Sequence, residues 1–211
     1  MAAVTRSRRS EQREALRADV IDVARRQLEE GGPTAVSWRA IAREVGVSPS
    51  TLYTYFASLD ELYTAMIVDA YHSLADAVAT AVAAAGPDPT ARVRAGVGGY
   101  RDWALAHRSR FNLVFTDMIP GYAAPAGGPT VAAQTAVLAP LGAAFAELRG
   151  HPDGDIRTWP DPDRHAALAL WGQLHGLVSL EVNHHLDWTG EADQLFRAAM
   201  ADAVDRMVAP G

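Results

Sequence analysis

The stretch VSWRAIAREVGVSPSTLYTYF, residues 36–56, decides the fold of this 211-residue chain, because it suits two short helices packed steeply through a tight turn. The first helix needs a small residue where the second crosses it, and Ala42 supplies one. The turn needs a residue that tolerates a left-handed backbone, as Gly46 does. Leu52 is expected to point back into the junction, and the other predicted buried residues are Ile41, Val45, Val47 and Phe56. The stretch therefore predicts a helix-turn-helix over about residues 38–57.

The outward face of the second helix carries hydroxyl groups, which bond to phosphate oxygens and base edges. Ser37 and Ser48 are predicted to cap the two helices, and Pro49 stands at the first helical position. Arg39 is placed to reach a DNA backbone. The predicted outward residues are Ser50, Thr51, Tyr53, Thr54 and Tyr55. The sequence thus favours a DNA-binding surface, although the Ala-x3-Gly-x5-Leu spacing alone also fits a plain αα-hairpin.

The charge distribution agrees with DNA binding better than the net charge of −6 suggests. Residues 1–18 contain five arginines and two glutamates, whereas the acidic excess lies after residue 60. We predict that residues 1–16 form a flexible basic arm, whose Arg8 and Arg9 contact phosphates or the adjacent minor groove.

The remaining chain has helical periodicity throughout and no convincing alternating strand. A first helix is predicted from Glu11 or Arg17 to Glu30, and a capping box at residues 58–61 opens a long helix to about Ala85. Further helices are predicted at 88–106, 109–118, 130–148, 163–186 and 191–208, with loops at 120–129 and 151–162. The predicted fold is all-α with about nine helices. It divides into the arm, a DNA-binding domain at 17–62, and a ligand-binding and dimerisation domain at 63–211.

Composition excludes several classes of protein. Cysteine is absent, so disulfides, thiolate metal sites and cysteine nucleophiles are excluded. The chain is 49% hydrophobic and 21% charged, as is ordinary for a soluble globular protein. No apolar run of about 18 residues and no secretory signal is evident, so we expect a cytoplasmic protein with no membrane partner.

Motifs of the common enzyme classes are missing as well. The chain has no Gly-x-Ser-x-Gly, His-Glu-x2-His or phosphate-loop motif. Gly96-Val-Gly98-Gly99 lies in a helical stretch without a preceding strand and predicts no dinucleotide site. The pair His184-His185 lacks further metal ligands at suitable spacing. We therefore predict no enzyme activity, no cofactor and no metal site.

The run Gly46-Val-Ser-x-x-Thr-Leu-Tyr-x-Tyr-Phe56 resembles the DNA-binding signature of TetR/AcrR-family regulators, and the resemblance covers about residues 17–68. It implies that Thr51, Tyr53 and Tyr55 touch DNA, as do residues near Ser37, Arg39 and Ser48. One position departs from the family pattern: a phosphate-binding lysine is usual where this chain has Leu59. That contact is expected to be absent, and arginines of the arm are expected to compensate.

Residues 69–211 resemble the family branch marked by Trp-x3-His-Gly, here Trp171 to Gly176. The resemblance implies a dimer interface built from the last two helices. The predicted interface residues share one face of a helix: Leu168, Gly172, Leu174, Gly176, Val178 and Val182. Burial of this face inside a single subunit is the alternative. The predicted ligand-pocket residues, which plain core packing would also explain, are Trp103, Phe111, Phe115, Met118, Tyr122, Trp171 and His175.

These features predict a transcriptional repressor that binds a palindromic DNA operator as a homodimer and is released by a small, largely apolar effector. Two copies are expected because one short helix reads only a few base pairs, and half-sites lie about 34–36 Å apart. An activator of the same fold and a helical bundle that does not bind DNA are the alternatives.

Overall fold

A computed structural model describes residues 2–116, 119–151 and 155–208, with side chains from residue 11 onward. Over these residues the chain forms nine α-helices and no strand, which confirms the predicted all-α class. The helices are α1 (Ala2–Gly31), α2 (Trp38–Val45), α3 (Pro49–Leu52), α4 (Leu59–Ala84), α5 (Pro89–Ala106), α6 (Arg108–Phe115), α7 (Pro129–Arg149), α8 (Asp161–Val182) and α9 (Ala192–Val208). Short 3₁₀ turns lie at Pro33–Ala35, Ile156–Thr158 and Asp187–Thr189.

Helix α1 begins at Ala2, earlier than the predicted start at Glu11 or Arg17. The predicted flexible arm at residues 1–16 is thus part of the helix from residue 2 onward. No glycine or proline occurs between Ala2 and Glu30, so nothing in this stretch stops the helix before Gly31. Helix α1 buries an apolar stripe of Val20, Val23, Ala24 and Leu28.

The chain divides into two compact units, and the division differs from the predicted boundary after residue 62. The first unit comprises Met1–Ala70 and Ser109–Thr130, and the second comprises Tyr71–Arg108 and Val131–Gly211. The segment Ser109–Thr130 joins the first unit through side-chain contacts that sequence spacing does not show. Arg110 bonds to the Asp69 carboxylate at 2.6 Å, and the Tyr122 hydroxyl lies 3.0 Å from Thr64 Oγ1.

Glycines set the close packing of α5 against α4 inside the second unit. A Cβ atom on Gly96 would lie 2.9 Å from a Val82 methyl group, and one on Gly99 would lie 2.7 Å from Ala81 Cβ. These glycines therefore allow the two helices to approach closely. This packing accounts for Gly96 and Gly99 in the helical glycine cluster, whereas a Cβ atom on Gly98 would meet nothing within 4 Å.

A buried ion network joins α5 to α8 and α9. The Arg101 guanidinium donates from Nε to one Glu181 oxygen at 2.7 Å and from Nη2 to the other at 2.5 Å. Its Nη1 donates to Asp193 Oδ1 at 2.8 Å, and its Cζ lies 4.7 Å from the centroid of the Phe196 ring. Bidentate geometry and the burial of both side chains strengthen the Arg101–Glu181 pair.

Helix α8 ends at Val182, four residues before the predicted end. Arg108 Nη1 donates to the carbonyl oxygens of Glu181 at 3.0 Å and Val182 at 2.6 Å, which satisfies the last turn of the helix. His184 then takes a left-handed backbone with φ of 63° and turns the chain toward α9.

Helix α7 matches the helix predicted at 130–148 and has one further residue at each end. It spans 21 residues and has a mean hydropathy of 1.4, so it is long and apolar enough to cross a bilayer by length and composition. One such helix is weak support for a membrane span, because core helices of globular proteins meet the same criterion. Trp159 lies between α7 and α8 in the predicted loop, where it is buried and stacks on the rings of Phe145 and His151.

Candidate nucleic-acid interface

The helix-turn-helix has the packing that the sequence predicts. Ile41, Ala42, Leu52 and Phe56 are buried at the junction of α2 and α3. Gly46 ends α2 in the left-handed region with φ of 79°, as the tight turn requires. Val45 and Val47, also predicted to be buried, are only partly covered.

The caps of both helices form as predicted. The Ser37 hydroxyl accepts from the Ala40 backbone N–H at 3.5 Å, and the Ser48 hydroxyl accepts from the Thr51 N–H at 3.2 Å. Helix α3 itself is only four residues long. Beyond Leu52, the chain continues in tight turns whose N–H groups at Tyr55 and Phe56 both donate to the Leu52 carbonyl. We call residues 48–56 the recognition segment.

Hydroxyl groups cluster at the start of the recognition segment. Ser48 Oγ lies 2.7 Å from Ser50 Oγ and 2.8 Å from Thr51 Oγ1. Ser48 and Ser50 are exposed, Thr51 is half-buried, and Thr54 is exposed with its hydroxyl donating to the Thr51 carbonyl. The cluster can donate to and accept from a nucleic acid within one helical turn.

Aromatic rings mark the end of the recognition segment. Tyr53 is 57% exposed although its ring centroid lies 5.4 Å from that of Trp38, so the ring packs beside Trp38 and much of its surface stays open. Tyr55 is half-buried, with the Arg13 guanidinium 5.8 Å from its ring centroid. Tyr53 is therefore the more accessible of the two predicted DNA-contacting tyrosines.

Two arginines lie on the exposed surface of α2. Arg39 was predicted from the sequence, and Arg43 was not, although the spacing of four residues places both on one helix face. Neither forms an ion pair with any residue in the described ranges. Both guanidinium groups are thus available for phosphate oxygens.

The contribution of α1 differs from the predicted basic arm. The side chains of Arg8 and Arg9 lie outside the described residues. Arg13 and Arg17, by contrast, donate to carbonyl oxygens of the recognition segment, which the sequence did not predict. Leu59, which occupies the position of the usual lysine, is half-buried and apolar.

Family models and relatives match both parts of the chain. The model described as bacterial regulatory proteins, tetR family, matches residues 20–66, and the model described as tetracyclin repressor-like, C-terminal domain, matches residues 93–203. The chain belongs to the TetR family. The HTH-type transcriptional regulator Rv1816 of Mycobacterium tuberculosis is 34% identical, with 83% of this chain and 84% of the relative covered.

Solved structures agree with this assignment. The crystal structure of a regulatory protein, SCO4313, has 33% identity and a TM-score of 0.77, and covers 92% of this chain and 97% of its own. The structure of a protein of unknown function from Rhodococcus sp. RHA1 is 26% identical with the same TM-score, and the match covers 92% of this chain and 96% of that protein. This TetR-family chain is thus a DNA-binding transcriptional regulator and not an enzyme.

The predicted ligand-pocket residues with described positions are assigned to both compact units. Phe111 is buried and packs on Phe115 in the first unit, where Tyr122 also belongs. Trp103, Trp171 and His175 belong to the second unit. Met118 lies outside the described residues. Sequence spacing could not show this division, because it depends on which helices pack together.

The second unit of this TetR-family regulator contains a compact aromatic cluster around Tyr100. Its hydroxyl lies 2.9 Å from His175 Nδ1, and its ring centroid is 5.4 Å from that of Trp171, which stacks on His175. Burial raises the pKa of the Tyr100 hydroxyl and lowers the pKa of the His175 imidazole. Burial therefore favours the neutral form of both groups.

A separate cavity of about 330 Å³ lies between α5 and α9 in the same unit. The residues that line it include the apolar Val97, Phe196 and Met200, together with the charged Arg94 and Arg197. Of the predicted ligand-pocket residues whose positions are described, none lines this cavity. Among the residues with described positions, no group of three or more histidine, aspartate or glutamate side chains is placed to hold a metal ion.

The predicted dimer-interface residues on α8 fall into two sets. Leu174, Val178 and Val182 are buried within the subunit and are not available to a second copy, so this part of the prediction is corrected. They pack inward because α5 and α9 cover that face of the helix. Leu168 is 53% exposed and Gly172 is exposed, while Gly176 is half-buried. Leu180, one turn further, is also exposed and was not predicted.

Proposed function

We propose that the chain is a cytoplasmic repressor that binds a palindromic operator as a homodimer and leaves DNA when a small, largely apolar effector binds. The observation that carries the proposal is the open recognition segment, with its hydroxyl cluster, the exposed Tyr53 ring and two uncommitted arginines on α2. Hydroxyls and a tyrosine suit base edges and sugars, and the arginines suit phosphates.

A homodimer follows from the size of this surface. One recognition segment spans a few base pairs, so specific binding needs two copies on related half-sites, with centres about 34–36 Å apart. Helix α8 offers a suitable contact face. Leu168, Gly172, Gly176 and Leu180 recur every four residues, and small residues at the centre of such a stripe let two helices approach closely.

The effector is proposed to act through the second unit. The Tyr100 cluster and the α5–α9 cavity both combine apolar walls with a few polar groups, the usual composition of a ligand site. The effector is proposed to bind more tightly to a dimer whose recognition segments are not at half-site spacing. Each tenfold difference in effector affinity between the two dimer conformations then shifts their equilibrium by about 1.4 kcal/mol, and DNA affinity falls accordingly. Helix α4, whose residues belong to both units, is proposed to transmit the effect of the effector to the recognition segment.

The proposal is tested by selecting bound duplexes from a random-sequence library and then footprinting the selected site. We expect a palindrome with half-sites one helical turn apart, and a salt-sensitive affinity for it far above that for scrambled DNA. A panel of uncharged aromatic and aliphatic compounds is then screened for release at constant salt. Sequence-independent binding would contradict the proposal that the chain binds a specific operator. Operator sites upstream of the promoter would favour an activator over a repressor.

Substitution of Gly172 by arginine tests the dimer. A Cβ atom at Gly172 meets nothing within 4 Å in the described subunit beyond its own helix, so the fold is expected to persist. The long charged side chain blocks close approach of a second α8, and sedimentation is expected to show monomers at micromolar concentration. Gly142→Arg on α7 is the matched control, because its Cβ position is equally open. A dimeric Gly172→Arg variant would place the interface elsewhere.

A further inference from the structure

The recognition segment has little structure of its own to fix its orientation. Only four residues are α-helical, and a single helical turn is unstable by itself. Its second half, Tyr53 to Phe56, depends on three backbone hydrogen bonds at Thr54, Tyr55 and Phe56. The orientation of the segment must therefore come from contacts with other elements.

Helix α1 supplies such contacts through Arg17. This side chain is half-buried, and its Nη1 donates to the Tyr55 carbonyl oxygen. Its guanidinium carbon lies 4.1 Å from the centroid of the buried Phe56 ring. Arg13, one turn earlier on the same face, donates to the Thr54 carbonyl at 3.1 Å. Two successive carbonyl groups of the segment are thus bound from α1.

Glu61 at the start of α4 completes the arrangement. One carboxylate oxygen lies 3.5 Å from Arg17 Nη1, and the other accepts from the Ala57 backbone N–H at 2.7 Å. The Glu61 N–H in turn donates to Ser58 Oγ at 3.2 Å. Arg17 and Glu61 therefore bind a carbonyl group at residue 55 and an N–H group at residue 57, on the two sides of Phe56.

We propose that Arg17 is a positioning residue for DNA reading, which fixes the end of the recognition segment through the Tyr55 carbonyl, the Phe56 ring and Glu61. This inference rests on the proposed operator binding. The Arg17 guanidinium orders the backbone of the recognition segment in the DNA-free protein. DNA binding therefore does not have to pay the conformational entropy of ordering it. The rival role for an arginine in this unit is direct contact with a phosphate.

Arg17→Lys separates the two roles. Lysine keeps the charge and the aliphatic stem but loses the planar group that can stack on Phe56 while it donates. Affinity is measured over a salt series for the selected operator duplex and for a scrambled duplex of equal length and composition. We expect operator affinity to fall about a hundredfold, about tenfold for the one freed residue that each copy of the proposed dimer must order, while affinity for the scrambled duplex and the salt slope stay unchanged.

Arg17→Met removes the charge as well, and Arg25→Met is its control, because Arg25 pairs with Asp22 inside α1. We expect Arg17→Met to lose operator affinity as Arg17→Lys does, and Arg25→Met to bind like the wild type. Three results overturn the proposal. The first is wild-type affinity in Arg17→Lys, and the second is a loss in Arg17→Met that is equal for both duplexes. The third is a salt slope in Arg17→Met that is smaller by about two, which marks one lost phosphate contact in each copy of the proposed dimer.

Thermal melts accompany each binding series, so loss of folding is distinguished from loss of positioning. The wild-type ratio between the two duplexes tests operator binding itself. A ratio of one overturns the proposed function and this inference with it, whereas a high wild-type ratio that Arg17→Lys retains overturns the inference alone.

Discussion

Tyr53→Ala is expected to weaken operator binding by about thirtyfold or more, while the chain stays folded. A specific contact contributes about 1–3 kcal/mol, and the proposed dimer loses it twice. The side chain is 57% exposed and packs mainly on Trp38, so its removal leaves the core in place. The loss of that ring pair is expected to lower stability by about 0.5–1.5 kcal/mol.

Two companion measurements make this result specific. Tyr53→Phe keeps the ring on Trp38 and removes only the hydroxyl, so it separates a hydrogen bond to DNA from ring contact with the sugar or base. Affinity is measured by fluorescence anisotropy with the selected operator and with scrambled DNA. If the operator affinity of Tyr53→Ala were within about threefold of the wild type, a difference of about 0.6 kcal/mol, Tyr53 would not be part of the DNA-binding surface.

Arg101→Met is expected to have the largest effect on stability, a loss of about 3–5 kcal/mol. The substitution leaves the Glu181 carboxylate, which is 9% exposed, without its bidentate partner. The hydrogen bonds that Arg101 donates to Glu181 raise the pKa of its guanidinium, as expected for a charge stabilised by its partner. Since domains are stable by only about 5–15 kcal/mol, the second unit is expected to unfold at much lower urea concentration.

The double variant Arg101→Met, Glu181→Met tests the cause. It removes both buried charges and is expected to recover most of the lost stability, because an apolar pair of similar volume replaces an ion pair at little net cost. Arg206→Met is the control, since Arg206 and Asp202 form an exposed pair on α9 that contributes less than about 1 kcal/mol. An Arg101→Met variant as stable as Arg206→Met would contradict a structural role for the network.

The sequence predicted the helix-turn-helix well because its constraints are local. Gly46 has a left-handed backbone, Ser37 and Ser48 cap their helices, and Ala42 and Leu52 are buried, as their spacing requires. Each of these features depends on residues within a few positions of one another. For the same reason the starts of most helices were predicted within two residues, whereas α1 and the end of α8 were not.

Features that join distant residues escaped the sequence. Arg17 and Tyr55 are 38 residues apart, and Arg101 and Glu181 are 80 apart. An arginine in a helix gives no local sign of the carbonyl or carboxylate that it will bind. Leu174, Val178 and Val182 similarly share an apolar face whether a second copy or the same chain covers it.

The sequence by itself therefore determined the all-α class, the position of the helix-turn-helix and its outward hydroxyl and tyrosine side chains, since periodicity, caps and a left-handed turn are properties of neighbouring residues. Only the tertiary structure decided that Arg13 and Arg17 bind the recognition segment, that residues 109–130 join the first unit, and which face of α8 stays exposed. Those outcomes depend on which helices pack together, and packing is determined by contacts between residues far apart in the chain.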